Sequence, residues 1–131
     1  MSELPTDRKY TTDHEWASRS AAEVTVGITQ FAVEQLGDIT LVNLDVKAGD
    51  SIELGKAFGT IESVKTLSDL FAPVSGKVVK VNADLGTKPE LVNEDCYGKA
   101  WMIVIAAADG AAIEALMDAK AYGEYLKTAA H

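Results

Sequence analysis

Two short runs in which apolar and polar positions alternate, Ala57-Phe-Gly-Thr-Ile-Glu-Ser63 and Leu67-Ser-Asp-Leu-Phe-Ala72, are separated by only Val64-Lys65-Thr66. Alternation at period two is the pattern of strands with one buried face, and so short a connection joins them as a hairpin. No Asn-Gly or Asp-Gly specifies the turn type. Pro73 and Gly76 close the unit. Lys65 therefore falls at a turn tip, where its amine is open to a modifying enzyme.

The rest of the chain reads mainly as strands. Tyr10 to Trp16 leads into an early strand, and Glu23-Val-Thr-Val-Gly27 reads as another. Thr29 can cap a short helix through Leu36, with Gly37 at the helix-ending position. Asp38-Ile-Thr-Leu-Val-Asn-Leu-Asp45 is rich in β-branched and apolar residues and predicts a core strand. Turns at 48–50 and 54–56 flank a short strand from Ser51 to Glu53. Lys77 to Val81 alternates again, Asn82 to Asp95 reads as a long loop carrying Pro89, and Ala100 to Ile105 suits a strand buried on both faces. Near the end the period changes. Asp109 is a helix-cap candidate, Ile113, Leu116 and Met117 share one helical face, and a second helix is expected over Ala119 to Lys127. Both helices are expected to cover the sheet. The pattern predicts one mainly β domain, a barrel-like sandwich with a short helix after the early strands and a helical C-terminus.

Composition narrows the function. The chain has 131 residues, 47% of them hydrophobic, enough for a real core in a single domain over 1–131, with its core at about 8–126. No apolar run reaches the ~20 residues that span a bilayer. The start, Met1-Ser-Glu-Leu-Pro-Thr-Asp7, is neither basic nor apolar, which predicts a cytoplasmic protein, or a mitochondrial matrix protein if a transit peptide has been removed. Twelve basic against twenty acidic residues give a net charge of −8. That opposes nucleic-acid binding and favours encounters with basic patches on partner proteins. Cys96 is the only cysteine, so no disulfide, Cys-x-x-Cys pair or thiolate metal cage can form within the chain. His14 and His131 have no metal-ligand spacing around them. Redox chemistry would have to come from an attached group.

Gly59-Thr-Ile-Glu62-Ser-Val-Lys65 followed by Ser68-Asp-Leu-Phe-Ala-Pro73-Val-Ser-Gly76 closely resembles the lipoylation segment of the glycine cleavage system H-proteins. Three further blocks agree in order: His14-Glu15-Trp16; Val26-Gly27-Ile28-Thr29 through Gln35-Leu36-Gly37-Asp38; and Pro89-Glu-Leu-Val-Asn-Glu-Asp95 with Tyr97-Gly98 and Trp101. The resemblance implies the barrel-sandwich hybrid fold of lipoyl domains and lipoate in amide linkage to Lys65. It implies a non-catalytic carrier that takes the aminomethyl group of glycine from the pyridoxal-phosphate decarboxylase (P-protein) to the folate-dependent aminomethyltransferase (T-protein). Dihydrolipoyl dehydrogenase (L-protein) would then reoxidise the arm, and a lipoate ligase or a lipoyl or octanoyl transferase would attach it. Glu62 is the candidate for recognition by those attaching enzymes. Glu15 and Asp69 are candidates for a cleft that pairs the ammonium of the loaded arm.

Three departures from the family pattern stand out: Cys96 where proline is common, Ala100 where glycine is usual, and Thr66-Leu67 in place of two small residues after the lysine. For Trp16 and Trp101 core packing is the simpler expectation, and His14 is weakly placed as a base. A lipoyl relay protein would need the same hairpin. A biotin carrier fits less well, because Val64 and Thr66 flank the lysine where that class has methionines. Neither a nucleophile–base pair nor a phosphate-cradling loop points to an enzyme. A plain interaction module would carry no adduct, which intact mass would reveal.

Overall fold

Inward-facing aliphatics at every second position of the strands have to be buried, and two antiparallel sheets do this in the computed structural model, which describes residues 4–128. The strands are β1 (Lys9–Tyr10), β2 (Glu15–Ser20), β3 (Glu23–Ile28), β4 (Ile39–Leu44), β5 (Ser51–Ile52), β6 (Ala57–Ser63), β7 (Leu67–Phe71), β8 (Gly76–Val81) and β9 (Ile103–Ala107). The larger sheet runs β1-β2-β3-β9-β8-β5, and the smaller runs β4-β6-β7. Val26, Phe58, Ile61, Leu70, Met102, Ile103 and Ile105 fill the space between them and are almost fully buried.

Helix α1 (Gln30–Leu36) begins and ends on the residues the sequence nominates. The Thr29 hydroxyl accepts the Ala32 N–H, and Gly37, at φ +80°, donates its N–H to the Val33 carbonyl. Helix α4 (Ala119–Thr128) packs Tyr122 against Tyr10, with rings stacked at 4.7 Å, in a second apolar cluster that also holds Trp16. Trp101 is half-buried against this cluster, so both tryptophans pack.

Four expectations change. The segment 38–45 forms β4, but at a sheet edge rather than in the core: a bulge between Ile39 and Leu41 leaves both Thr40 and Leu41 exposed. The loop expected over 82–95 contains two single-turn helices, α2 (Asp84–Thr87) and α3 (Leu91–Glu94), because buried Leu85 and Val92 anchor each turn to the core. The last strand starts at Ile103, not Ala100, since the Trp101 and Lys99 carbonyls turn aside to the buried Asn82 amide. After Asp109 the chain forms a 3₁₀ helix (Gly110–Ala115) rather than an α-helical face; among its described side chains Ile113 alone is buried, and Met117 pairs with Tyr10 by backbone.

Gly59 lies where β6 passes so close to β4 that a Cβ would press on the backbone carbonyl of Asn43. Gly59→Ala is expected to lower stability by ~1–3 kcal/mol, seen as a lower urea midpoint at unchanged slope.

Candidate functional site

Chain reversal between β6 and β7 sets the site's geometry. The Ser63 N–H donates to the Thr66 carbonyl at 2.8 Å, and the Ser63 hydroxyl accepts the N–H groups of Lys65 and Thr66 at 3.1 and 3.2 Å. One serine thus organises the turn, and Lys65 projects from it exposed. The tip is also tied sideways: the Val64 N–H donates to the Asp38 carbonyl at 3.0 Å. Asn93 holds that neighbouring segment, accepting the Ile39 N–H at 2.9 Å and donating to the Gly37 carbonyl at 3.0 Å. The aliphatic stem of Lys65 passes Gly37, where a Cβ would lie 3.5 Å from the lysine Cε.

Beside the hairpin lies a cleft of about 500 Å³, walled by α1 through Phe31, Gln35 and Leu36 and by the hairpin strands through Ile61 and Ser68. Lys65 itself is not part of the cleft wall; its stem lies beside Gly37, which follows the lining residue Leu36. Glu15 and Asp69 both line this cleft. Their environments differ sharply. Asp69 is exposed at the rim, with its register partner Thr60 on the outer sheet face. Glu15 is 2% exposed. Its Oε2 accepts the Phe71 N–H at 2.9 Å from the free edge of β7, and its Oε1 accepts the Thr11 hydroxyl at 3.1 Å. The Thr11 oxygen itself accepts the N–H groups of Asp13 and Glu15, which leaves its proton for the Glu15 carboxyl oxygen. Burial, reinforced by the charge of Asp13, pushes the Glu15 carboxyl up to about 8, against the opposing pull of the two donors.

His14 also lines the cleft, at a backbone φ of +66°. Its ring packs on Phe31 at 4.6 Å, and its Nδ1 lies 2.8 Å from the Tyr122 hydroxyl, which also meets Thr29 Oγ1 at 2.8 Å. Burial holds the imidazole below its ordinary range, and the ring serves as a wall of the cleft. Tyr125 brings α4 to the cleft as well.

The glycine cleavage H-protein family model matches residues 8–129. The chain belongs to this family. It is 49% identical over 125 residues to the glycine cleavage system H protein of Anaeromyxobacter sp. (strain K), covering 95% of this chain and 97% of that one. It is 50% identical over 126 residues to that of Halalkalibacterium halodurans, covering 96% and 98%. A crystal structure of a glycine cleavage system H protein from Mycobacterium marinum superposes with a TM-score of 0.85 at 38% identity, over 95% of this chain and 99% of that one.

Within this H-protein fold, Glu62 is exposed on the outer face of β6, three residues before Lys65. Cys96 is buried: the Trp16 indole N–H donates to its carbonyl at 2.9 Å, and burial pushes its thiol up to about 11, a packing residue without thiolate reactivity. Ala100 is likewise buried in the main core. Among the described residues no group of three or more His, Cys, Asp and Glu side chains is placed to hold a metal, and no helix is long and apolar enough to cross a membrane. His131 lies outside the described residues.

Thr11, Phe31, Gln35 and the Phe71 N–H were not legible as site groups. The i and i+4 spacing of Phe31 and Gln35 on the predicted helix was the one available signal. The edge-strand N–H and the left-handed His14 have no sequence signature.

Proposed function

We propose that the protein is the lipoyl carrier of the glycine cleavage system, modified on Lys65, and that it turns nothing over by itself. The observation that carries this is the exposed Lys65 at a braced hairpin tip, with its stem passing Gly37 beside a cleft of mixed apolar and acidic lining. That arrangement fits an amide-linked lipoyl group: an accessible amine for attachment, and beside it a cleft with room for part of an arm. When bound, lipoate supplies a dithiolane that is reduced and carries the aminomethyl group of glycine, chemistry no side chain here possesses.

The chain's own residues have three tasks. Ser63 and the Asp38 carbonyl hold the tip rigid, so that the amine is presented in one place. Phe31, Leu36 and Ile61 exclude water from the cleft. Glu15, at its buried wall, gives up its proton and offers a carboxylate to an ammonium brought in on the arm; Asp69 adds a weaker, solvent-screened charge at the rim. Glu62 marks the hairpin for the enzymes that acylate Lys65. The glycine decarboxylase, the aminomethyltransferase and the dihydrolipoyl dehydrogenase are the partners served in turn, at the high effective concentration a tether provides.

Purified lipoylated protein is expected to release no carbon dioxide from glycine. Added to the decarboxylase, it should raise carbon dioxide release and saturate with concentration as a substrate does. Release by the carrier alone, free of partner enzymes, would refute the reading.

A further inference from the structure

The outer face of the small sheet carries an apolar surface that folding does not use. Leu41 of β4 pairs with Glu62 of β6, and Glu62 pairs with Leu67 of β7. Cross-strand partners project from the same face, so the three side chains stand side by side across roughly 10 Å of sheet. All are exposed: Leu41 by 43% and Leu67 by 60%, with Val64 at the tip beside them exposed by 66%. Among the described residues large apolar side chains this exposed are few, and the fourth, Leu54, lies elsewhere in the turn between β5 and β6. Among the described residues the Glu62 carboxylate has no hydrogen-bond or ion-pair partner in the fold. Two leucines thus flank an unneutralised acid within three residues of Lys65.

We propose that the Leu41–Glu62–Leu67 row, extended by Val64, is the docking surface for the enzyme that acylates Lys65, and that this partner presents an apolar rim carrying a basic side chain opposite Glu62. This rests on the carrier reading and names the surface behind its first step. The commitment to that partner follows from reach. Amide formation requires the Lys65 nitrogen, freed of a proton, to form a C–N bond to an activated acyl carbonyl. The acyl–oxygen bond of an acyl adenylate or the acyl–sulfur bond of a thioester breaks, the nucleotide or thiol leaves, and the nitrogen sheds its second proton. Reacting atoms must approach to ~3–3.5 Å. An unmodified lysine side chain reaches only a few ångströms beyond its own turn, so the walls of that enzyme's site must lie on the residues around the tip. Partners that act after attachment meet the far end of a long arm and have no such need. Charge agrees: with a net charge of −8 and an unpartnered acid at the row's centre, the surface complements a basic group.

The test is the acylation rate of the unmodified protein with the lipoate ligase of its own host, supplied with lipoate and ATP. Leu41→Ser with Leu67→Ser is expected to lower kcat/KM for acylation about tenfold, chiefly through KM. Leu54→Ser, equally exposed but remote, is expected to leave it unchanged. The double variant, once lipoylated by prolonged incubation, should support decarboxylase-dependent turnover of glycine at the wild-type rate. Should the pair fail to fold, Leu67→Ala alone provides the same comparison. Acylation of the double variant at the wild-type rate would overturn the proposal. So would an equal fall in decarboxylase turnover, which would make the face a general partner surface. Loss of a wild-type dimer in the variant, seen by sedimentation, would overturn it too, by assigning the face to a second copy. A wild type that the ligase cannot acylate at Lys65 would instead overturn the carrier reading itself.

Discussion

Lys65→Arg protein is expected to carry no acyl adduct at all and to support no carrier-dependent glycine decarboxylation above background. The argument is chemical before it is structural. A guanidinium stays protonated at every accessible pH and offers no free amine to an acyl carbonyl, yet it preserves the positive charge at the tip. Lys65 is exposed, and its backbone N–H, not its side chain, bonds to Ser63. The substitution should therefore change stability by less than about 0.5 kcal/mol, so loss of function cannot be blamed on unfolding. Lys56 and Lys77 are the informative controls. Lys56 sits in a turn whose carbonyl accepts the Ala72 N–H, and Lys77 lies within a paired strand between Ser51 and Ala106. Neither is presented at a free tip. Intact mass followed by peptide mapping decides the matter, and lipoate on Lys56 or Lys77 would sink the assignment.

How much of this was readable in the chain depends on whether the cause was local. The hairpin strands were, to the residue at Ala57–Ser63, because alternation and the short connection are local features. So was α1, whose start and stop are written in Thr29 and Gly37. Errors arose where tertiary contacts decided. The apolar composition of 38–45 looked like a core strand, but a bulge and an edge position exposed half of it. The loop over 82–95 acquired helical turns because Leu85 and Val92 found the core, a long-range fact. In the site, Lys65, Glu62, Glu15 and Asp69 were named from the sequence by resemblance. What could not be read was how differently the two cleft acids are housed, since burial of Glu15 depends on β7 arriving, 56 residues later, to place the Phe71 N–H on its carboxylate.

That housing makes the second large effect pH-dependent. Glu15 is raised from an ordinary value of 4.5 to about 8, with burial the leading cause. The sign follows from linkage: the folded state holds this proton more tightly than the unfolded chain, so the group's contribution is fully present below 4.5. It is lost progressively as pH rises from about 4.5 to about 8, and levels off above. In the empty protein Glu15 is therefore mostly uncharged at neutral pH. On the proposed carrier reading, an ammonium brought in on an arm at Lys65 would compete with that proton and, on pairing, release it. Burial disfavours a charge on His14, while Asp13 and Asp69 favour the cation from the rim. The lifetime of the loaded arm should accordingly lengthen as pH rises from 6 toward 8, because ever less free energy goes into displacing the Glu15 proton. Glu15→Gln should shorten that lifetime about tenfold or more near pH 8, the loss of one charge-assisted contact of roughly 1.5–3 kcal/mol, and should flatten the pH dependence. Asp69→Asn, at an exposed rim, should change it by much less. The measurement is release of formaldehyde and ammonia from loaded wild-type and variant proteins across that range, with the thermal midpoint of each variant checked alongside. A Glu15→Gln protein that is folded, fully loaded and as long-lived as the wild type at pH 8 would remove Glu15 from the cleft's chemistry and leave it only the role of covering the free edge of β7.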